Sequence, residues 1–380
     1  MQRSTTTRTK TLPANLLFAI CISQFAIVGS VRAQIDSPEL AKYNDRVDKA
    51  VDRGLEYLAR NQVTDDMARR WNYPPLAGSF LSNRRGNTGI TSLCVMAFLS
   101  KGCTPGDGPY GDVINRGIDY IVNQQADNGL LVAKYPGGRT HGLMYEHCIS
   151  TLMLCEASGM VDPERQKRVD AAISKALAVI LRAQLETKQP RDSGGWRYNP
   201  NSRDSDLSLT GWAIMALRAG KLNGAPVPDN HIAGAVQYIL KCRSPRIGGF
   251  GYQPGNHPNS GLTGVGILCL ELCGEHGNPV IEPAAEFLLK QMPKRPDRER
   301  HGYYAMYYCS QAFFQLGGKY WETFAPVMYE NMLDTQHLDG SWRTQDHMTG
   351  TCYSTSMAIL AMTVAYRQLP IYQRDESFEE

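Results

Sequence analysis

The chain carries apolar residues at spacings of four and three, separated by polar residues, over most of its length. This is the stripe of an amphipathic helix that packs against a core on one side. Six stripes follow one another: Val51/Leu55/Leu58, Ile114/Ile118/Ile121, Ile173/Leu177/Ile180, Ile232/Val236/Ile239, Ile281/Ala285/Leu288 and Ala325/Tyr329/Met332. Each stripe predicts an outer helix. The apolar segments between them, such as residues 212–217, predict inner helices that are buried on both sides.

Each predicted pair of helices is joined by a turn that contains glycine. A Gly-x-aromatic sequence occupies this turn in five pairs, at residues 78–80, 194–196, 248–250, 302–304 and 340–342, and Gly129-Leu130-Leu131 occupies it in the second pair. A glutamine stands four residues after the stripe in four pairs: Gln62, Gln125, Gln184 and Gln336. A Ser or Thr is predicted to open each inner helix by accepting a free backbone N–H: Thr91, Ser150, Thr210, Thr263, Ser310 and Thr355.

Repeated pairs of helices form either an open solenoid or a closed ring. The sequence shows no polar end unit of the kind that caps a solenoid, and its inner helices are apolar nearly all round. We therefore predict an all-α fold, an α/α toroid in which six helical hairpins form an inner and an outer ring. The lack of an obvious linker predicts a single toroid domain over residues 47–380, preceded by a polar lead-in over residues 34–46.

The first 33 residues have the order of a secretory signal peptide. Arg3, Arg8 and Lys10 precede an apolar run over residues 16–28, and small residues lead to Ala33. This run is short for a membrane span, which needs about 20 apolar residues. We expect export to the periplasm, the cell envelope or the extracellular space, and a mature chain without a transmembrane segment. An uncleaved anchor is the alternative.

Removal of this segment changes the charge of the chain. The full chain has a formal charge of +3, and the first 33 residues contain four basic residues and no acidic one, so the mature chain carries −1. This balance predicts no nucleic-acid partner. Nine cysteines remain, and several of them lie within apolar helical runs. They predict buried thiols rather than a disulfide framework.

Three segments resemble the QW motif of squalene-hopene cyclases. Arg53-Gly54-Leu55-Glu56-Tyr57-Leu58 with Gln62, and Arg116-Gly117-Ile118-Asp119-Tyr120-Ile121 with Gln125, resemble its first half, and residues 336–342 resemble its second half. In that family the glutamine and the tryptophan tie neighbouring helices together. The resemblance covers nearly the whole mature chain and implies the α/α toroid that terpenoid cyclases share with protein prenyltransferase β subunits. Because scaffold residues carry it, the resemblance implies a fold rather than a reaction.

The catalytic motifs of those families match incompletely. The cyclases protonate their substrate with an Asp-x-Asp-Asp motif, whereas Asp204-Ser205-Asp206 is followed by Leu207. The prenyltransferases bind zinc through an Asp-x-Cys pair and a later histidine, and Gly350 stands where that histidine would be. We therefore expect no zinc site of this type and assign no cofactor.

A closed α/α barrel gathers the loops that lead into its inner helices at one end. We expect the polar residues near these helix starts to share that rim: Tyr145, Glu146, His147, Asp204, Asp206, Tyr307, Tyr308, Asp346, His347 and Tyr353. Asp204 and Asp206 are the leading catalytic candidates, because a carboxyl group in an apolar cavity has a raised pKa and can donate a proton. The alternative is that Asp206 caps the helix that follows it.

Two further pairs are candidates for acid/base work, namely Glu146 with His147 and Asp346 with His347. Their spacing matches no metal motif, so we assign no metal. Structural or solvated roles for these side chains are the alternative.

Three functions fit these observations. The first is an exported squalene-cyclase- or prenyltransferase-like protein that binds or transforms a hydrophobic isoprenoid or lipid ligand in the central cavity, with Asp204 or Asp206 as the acid. The second is a carbohydrate-active α/α-barrel enzyme with rim carboxylates as acid and base. Its weakness is that the sequence shows no dense set of rim aromatics. The third is a non-catalytic scaffold that binds a ligand or partner at the rim. The first is the leading interpretation, with its activity unassigned.

Overall fold

The computed structural model describes residues 38–82, 85–134, 142–344 and 350–373. Within these ranges the chain forms fourteen α-helices and one short two-stranded hairpin. The helices are α1 (Pro38–Ala41), α2 (Asn44–Asn61), α3 (Asp65–Arg70), α4 (Thr88–Ser100), α5 (Gly111–Asn123), α6 (Leu143–Ala157), α7 (Pro163–Gln184), α8 (Leu207–Leu222), α9 (Asp229–Lys241), α10 (Ser260–Leu272), α11 (Ile281–Lys290), α12 (Gly302–Leu316), α13 (Gly318–Thr335) and α14 (Thr351–Met362). The hairpin pairs Leu81–Ser82 with Arg85–Gly86.

Six of these helices form a closed inner ring. Helices α4, α6, α8, α10, α12 and α14 each contact the next one, and α14 contacts α4. The outer helices α2, α5, α7, α9, α11 and α13 alternate with them along the chain and pack on their outside. The prediction of an all-α toroid with an inner and an outer ring is confirmed. The short helix α3 lies in the first connection between an outer and an inner helix.

The predicted stripes are the faces by which the outer helices pack. In the second stripe Ile114, Ile118 and Ile121 are completely buried, and in the sixth Ala325 and Met332 are too. Ile232 is the one stripe position that is only partly buried. Each outer helix therefore stays in the toroid because apolar area on one face is removed from water.

The segment expected as a polar lead-in contributes to the toroid. Helix α2 begins at Asn44, and α1 precedes it. Leu40 and Tyr43 are almost fully buried, and the ring of Tyr43 lies 5.4 Å from that of Tyr329 in α13. The start of the described chain thus packs against the last outer helix.

The four glutamines join each hairpin to the next, and we call these contacts the glutamine latches. Each side-chain amide donates to the glycine carbonyl of its own turn and to a carbonyl of the following outer helix. The carbonyl pairs are Gly78 and Val113 for Gln62, Gly129 and Ala172 for Gln125, Gly194 and His231 for Gln184, and Gly340 and Ala50 for Gln336. The last latch closes the ring, because it joins the sixth turn to the first outer helix.

The turn glycines are required for two reasons, as Gly194 and Gly340 illustrate. Their φ angles are +94° and +89°, in the left-handed region that side chains disfavour. A Cβ atom would also lie 2.1 Å from the carbonyl oxygen of Gly234 at the first position, and 2.2 Å from that of Arg53 at the second. The turn of one hairpin thus rests directly on the backbone of the next outer helix.

The turn aromatics join each turn to the outer helix that precedes it. The indole N–H groups of Trp196 and Trp342 donate at 2.8 Å to the carbonyls of Ile180 and Met332, each in the preceding outer helix. Both indoles are buried. These aromatics therefore fill the space between packed helices.

The threonines predicted to cap the inner helices lie one turn further in, so that prediction is wrong. The N-caps are Asn87, Asp206 and Asn259 for α4, α8 and α10. The threonine hydroxyls instead accept the backbone N–H of the turn aromatic, at 2.9–3.1 Å: Thr91 from Phe80, Thr210 from Trp196, Thr263 from Phe250 and Thr355 from Trp342. They fasten each turn to its inner helix.

The ring is packed most closely between α10 and α12. A Cβ atom at Gly264 would lie 2.8 Å from the carbonyl carbon of Tyr308, and one at Gly261 would lie 3.3 Å from the Cα atom of Ala305. Small residues thus allow the two backbones to touch. The turns on either side of this contact carry Arg243 and Met292 in place of a latch glutamine.

The nine cysteines of the described ranges are free, and seven of them are buried: Cys94, Cys148, Cys155, Cys242, Cys269, Cys309 and Cys352. Burial raises the pKa of these thiols, as at Cys155, where it reaches about 12. They act as small apolar core residues, as predicted.

Candidate functional site

The mouth of the toroid is the end of the ring at which the inner helices begin. Three hydroxyls from three inner helices are linked there: Tyr145 of α6 donates to Ser208 Oγ of α8 at 2.8 Å, and that atom lies 2.8 Å from the hydroxyl of Tyr304 in α12. Free N–H groups and the positive ends of helix dipoles gather at helix starts. The mouth therefore offers hydrogen-bonding groups from several hairpins at one place.

Arg197 connects both predicted aspartates, and the ring of its neighbour Tyr198 lies 5.9 Å from that of Tyr145. Its guanidinium is 4.4 Å from the ring centre of Tyr198 and 5.4 Å from that of Tyr252, which are cation–π distances. The same group lies 3.3 Å from the Asp204 carboxylate and 3.4 Å from the Asp206 carboxylate. Two carboxylates and two tyrosine rings thus surround one guanidinium.

Asp206 is the N-cap of α8. Its Oδ1 atom accepts the backbone N–H of Leu209 at 2.8 Å, and its side chain is completely buried. Burial raises its pKa to about 6, while the Leu209 hydrogen bond and the charge of Arg197 act in the opposite direction. The capping role is therefore present, and it is filled by a carboxyl group that titrates near neutrality.

Asp204 has a different environment from Asp206. Its side chain is half exposed, and its described contact is the ion pair with Arg197. It is the predicted carboxylate that faces solvent, whereas Asp206 reaches solvent only through its neighbours. Arg197 Nη1 donates both to Asp206 Oδ2 at 3.4 Å and to the hydroxyl of Tyr252 at 3.3 Å. The hydroxyl of Tyr252 also hydrogen-bonds to that of Tyr198, whose ring lies 5.9 Å from the ring of Tyr145.

Glu146 ties α6 to the start of α4. Its Oε2 atom accepts the backbone N–H and the hydroxyl of Thr88, at 3.1 and 2.7 Å, and the backbone N–H of Ala133 at 3.2 Å. Burial raises its pKa. Three hydrogen bonds to one oxygen give this carboxylate a positioning role between two hairpins.

His147 is completely buried, and both of its ring nitrogens bind backbone. Nδ1 accepts the N–H of Leu131 at 3.0 Å, so Nε2 carries the proton and donates to the carbonyl of Ala176 at 3.1 Å. Burial lowers its pKa to about 4. His147 thus takes the place that threonine fills in the other turns, and its neutral ring joins the second turn to α7.

The remaining sequence candidates divide into two groups. Asp346 and His347 lie outside the described residues. Tyr307 and Tyr308 are completely buried inside the ring, whereas Tyr353 of α14 is partly exposed. The sequence did not predict Ser208 or the cluster that Arg197, Tyr198 and Tyr252 form around the two aspartates, and it predicted Tyr304 only as a turn aromatic.

Part of this cluster has a signal in the sequence. Tyr198 and Tyr252 each stand two residues after the aromatic of a Gly-Gly-aromatic turn, in residues 194–198 and 248–252. Equivalent positions in adjacent repeats of a ring lie side by side, and this places the two phenols in contact. Arg197 stands one residue before Tyr198, at the position of Gly251 in the next turn, and its guanidinium contacts both rings.

An aromatic column runs from the mouth into the ring. Tyr304 packs on Tyr308 with ring centres 4.7 Å apart, and Trp212 of α8 stacks on Tyr307 at 5.7 Å and meets Tyr308 edge-on at 5.5 Å. The hydroxyl of Tyr307 hydrogen-bonds to that of Tyr372 near the end of the described chain. These five side chains, which we call the aromatic column, bring α8 and α12 into contact although α10 stands between them in the ring.

The described ranges also bear on metal binding and on membrane insertion. No cluster of three or more His, Cys, Asp or Glu side chains there has the arrangement of a metal site. In the same part of the chain, the helices are too short or too polar to cross a bilayer.

A family model matches part of the chain and agrees with the fold. Residues 111–296 match the family model of the prenyltransferase alpha-alpha toroid domain. The chain therefore contains a toroid domain of the type found in terpenoid cyclases and protein prenyltransferases. Curated protein sequences gave no match.

Solved structures with a similar fold include members of three enzyme groups. The type II terpene cyclase MstE from Scytonema shares 13% identity, with 86% of this chain and 99% of that chain covered and a TM-score of 0.54. The protein geranylgeranyltransferase-I of Candida albicans shares 13% identity, with 87% of this chain and 97% of that chain covered and a TM-score of 0.52. A possible GH105 family member from Salmonella enterica shares 12% identity, with 85% of this chain and 93% of that chain covered and a TM-score of 0.55. At this identity the likeness concerns the fold alone.

Proposed function

We propose that this protein is an exported toroid that binds a hydroxylated ligand of the carbohydrate class at its mouth. The observation that carries the proposal is the chain of hydroxyls from Tyr145 through Ser208 to Tyr304, which spans three inner helices. A sugar presents hydroxyls that both donate and accept, and the phenol and serine hydroxyls match this. Tyrosine also offers an apolar ring face against which a sugar ring packs.

The distribution of aromatic residues favours this ligand over an isoprenoid. Partly exposed tyrosines surround the mouth: Tyr145, Tyr198, Tyr252, Tyr304 and Tyr353. They come from different hairpins, so their density at the rim is a property of the folded ring. An isoprenoid would need an apolar chamber below the rim, where the aromatic column packs side chain against side chain.

Ligand binding can be tested on the mature chain with two sets of probes. Oligosaccharides, neutral and uronic-acid-containing, are screened for binding by calorimetry, and geranylgeranyl diphosphate is the competing probe, since the Candida albicans relative was solved with GGPP. Tyr304→Phe and Tyr145→Phe each remove one hydroxyl. We expect either change to weaken saccharide binding roughly three- to tenfold.

The matched control is Tyr320→Phe, which removes a phenol that contacts Glu286 on the outer ring. It should leave saccharide binding unchanged. The proposal is wrong if no saccharide binds, or if the mouth variants bind as well as the control. Tight binding of the isoprenoid alone would favour the hydrophobic ligand instead.

Acid catalysis at the same site is the second candidate function. Its support is that the Asp206 carboxyl group and the hydroxyl of Tyr252 both contact Arg197 Nη1, and that Tyr252 hydrogen-bonds to Tyr198 on the side of the mouth. A carboxyl group with a pKa near the working pH suits a general acid. Asp206 would release its proton to Tyr252, whose proton passes to Tyr198 and on to the leaving oxygen of a glycosidic bond, while half-exposed Asp204 takes a proton from the attacking water.

The variant Asp206→Asn distinguishes acid catalysis from ligand binding. Asp206→Asn keeps an oxygen for the Leu209 N–H but has no acidic proton. If a bound oligosaccharide is cleaved, this change should abolish cleavage and leave binding within about threefold. Equal rates in the variant and the wild type would exclude Asp206 as the acid.

Export is tested by expressing the full chain with its first 33 residues and analysing the secreted or periplasmic fraction. Intact mass should show a mature protein that begins at Gln34, because small residues at the end of the segment suit signal peptidase. Recovery of an uncleaved chain in the membrane fraction would favour the anchor. Recovery of the full chain in the soluble cytosol would contradict export.

A further inference from the structure

Residues 369–372, which we call the strap, cross the end of the ring opposite to the mouth. Leu369, Ile371 and Tyr372 are at most 3% exposed. The strap contacts α8, and the side-chain amide of Gln315 in α12 donates to the Tyr372 carbonyl at 3.1 Å. It therefore closes the ring at the C-terminal ends of the inner helices.

A buried carboxyl group holds the strap on a third side. Glu156, near the end of α6, accepts the backbone N–H of Ile371 at 3.2 Å, and it is 2% exposed. The titratable groups that face it are Tyr307 of α12, Tyr372 of the strap and Cys155 of its own helix. These groups are neutral over the physiological pH range, and α8 contributes Asn223, an uncharged amide, beside Cys155.

We propose that the strap is a proton-sensitive closure of the ring, seated most firmly when Glu156 is protonated and loosened as the pH rises. When the strap is seated, Glu156 is buried and its described neighbours include no cation. Ionising the carboxyl group in this state is therefore unfavourable. When the strap lifts, water reaches the carboxyl group and ionisation costs little. Rising pH therefore favours the open strap.

The pKa of Glu156 gives the pH range of this effect. Burial raises it from 4.5 to about 8. Below pH 4.5 the carboxyl group is protonated whether the strap is seated or lifted, so the strap is fully held. Between these two values only the lifted state is ionised, and opening becomes up to about tenfold more favourable per pH unit. Above about pH 8 both states are ionised and the effect levels off.

Lifting the strap also affects the interior of the ring. Tyr372 is the last member of the aromatic column and hydrogen-bonds to Tyr307, on which Trp212 stacks. When the strap lifts, the aromatic column loses the hydrogen bond between Tyr372 and Tyr307. This inference is independent of the ligand proposed for the mouth, since it concerns the opposite end of the ring.

Hydrogen exchange of the full chain over a pH series tests the proposal, with rates corrected for intrinsic chemistry. The protection factor of strap peptides should fall by up to about tenfold per pH unit between pH 5 and 8 and then level off. Peptides from α8 serve as an internal reference and should not show this slope. In Glu156→Gln the slope should vanish, because the amide does not titrate.

The matched control is Gln315→Ala, which removes another anchor of the strap without a titrating group. It should lower strap protection by a similar factor at every pH. The proposal is overturned if Glu156→Gln retains the wild-type slope, or if α8 peptides show the same slope, which would indicate global unfolding. If Glu156→Gln does not fold, a wild-type strap without a pH slope of its own overturns the proposal as well.

Discussion

The side-chain amide of Gln336 donates at 2.7 Å to the backbone carbonyl of Ala50, which lies 286 positions earlier in the chain. The same amide donates at 3.0 Å to the carbonyl of Gly340 in its own turn. One uncharged side chain thus links the sixth turn to the first outer helix. The three other latches make the same pair of contacts between hairpins that are neighbours in sequence.

Replacing Gln336 by alanine should destabilise the whole toroid. Two carbonyls lose their donor, and the expected loss is roughly 2–3 kcal/mol in the free energy of unfolding. Chemical denaturation followed by circular dichroism measures it. Leu338→Ala is the control, because that side chain is fully exposed two residues away. A loss at Gln336 no larger than at Leu338 would show that the latch does not stabilise the ring.

Gly340→Ala should be more destabilising than an alanine at another glycine of the same conformation. The φ angle is +89° at Gly340 and +85° at Gly255, but only at Gly340 would the new Cβ meet a neighbouring backbone, at 2.2 Å. We expect a loss of about 1 kcal/mol at Gly255 and roughly 3 kcal/mol at Gly340. Thermal and urea denaturation of both variants would decide, and equal losses would mean that the turn can move away from α2.

His147 should make the protein sensitive to acid. Because burial lowers its pKa from 6.5 to about 4, the folded state holds the neutral ring and binds fewer protons than the unfolded state. Its contribution is complete above pH 6.5 and is lost as the pH falls through 4, by about 3 kcal/mol. His147→Thr, which copies the other turns, should unfold with a flatter pH profile in urea denaturation. Parallel profiles for the two proteins would contradict this.

Asp206 combines a cap with a buried charge, and two substitutions separate them. Asp206→Ala removes the acceptor for Leu209 and should cost about 1–2 kcal/mol. Asp206→Asn keeps the acceptor. Since burial raises the pKa of Asp206 from 3.8 to about 6, the folded state disfavours the charge, and the asparagine variant should be no less stable than the wild type at pH 7. Denaturation at pH 7 measures both, and equal losses would mean that the charge matters more than the cap.

Periodicity was sufficient to predict the toroid. The stripe of an outer helix depends only on residues three and four apart, so Ile114, Ile118 and Ile121 identify their buried face without knowledge of any partner. Glycine turns recur in five hairpins and latch glutamines in four, whereas residues 302–304, predicted as the fifth turn, form the start of α12. The six stripes therefore indicate the number of hairpins better than the turns do. Ring closure followed from the all-round apolar inner helices.

The candidate site was harder to predict because its contacts cross between hairpins. Tyr252 belongs to the fourth turn, and its hydroxyl accepts from Arg197 of the third, so this contact depends on how adjacent turns are offset. The contacts of His147 were hard to predict for a related reason. Ser150 aligns with the threonines by residue type, but His147, one helical turn earlier, fills the position of their hydroxyl. Residue type alone does not distinguish two positions on one helix face.

The two turns without a latch glutamine are consecutive, at Arg243 and Met292. Between them α10 and α12 touch through Gly261 and Gly264. A contact between two backbones is held by van der Waals packing, whereas each latch adds two directed hydrogen bonds. The toroid is therefore not equally strong around its circumference. Two of its six joints are held by packing without the paired hydrogen bonds of a latch, and we expect the ring to open first at one of these two joints during unfolding.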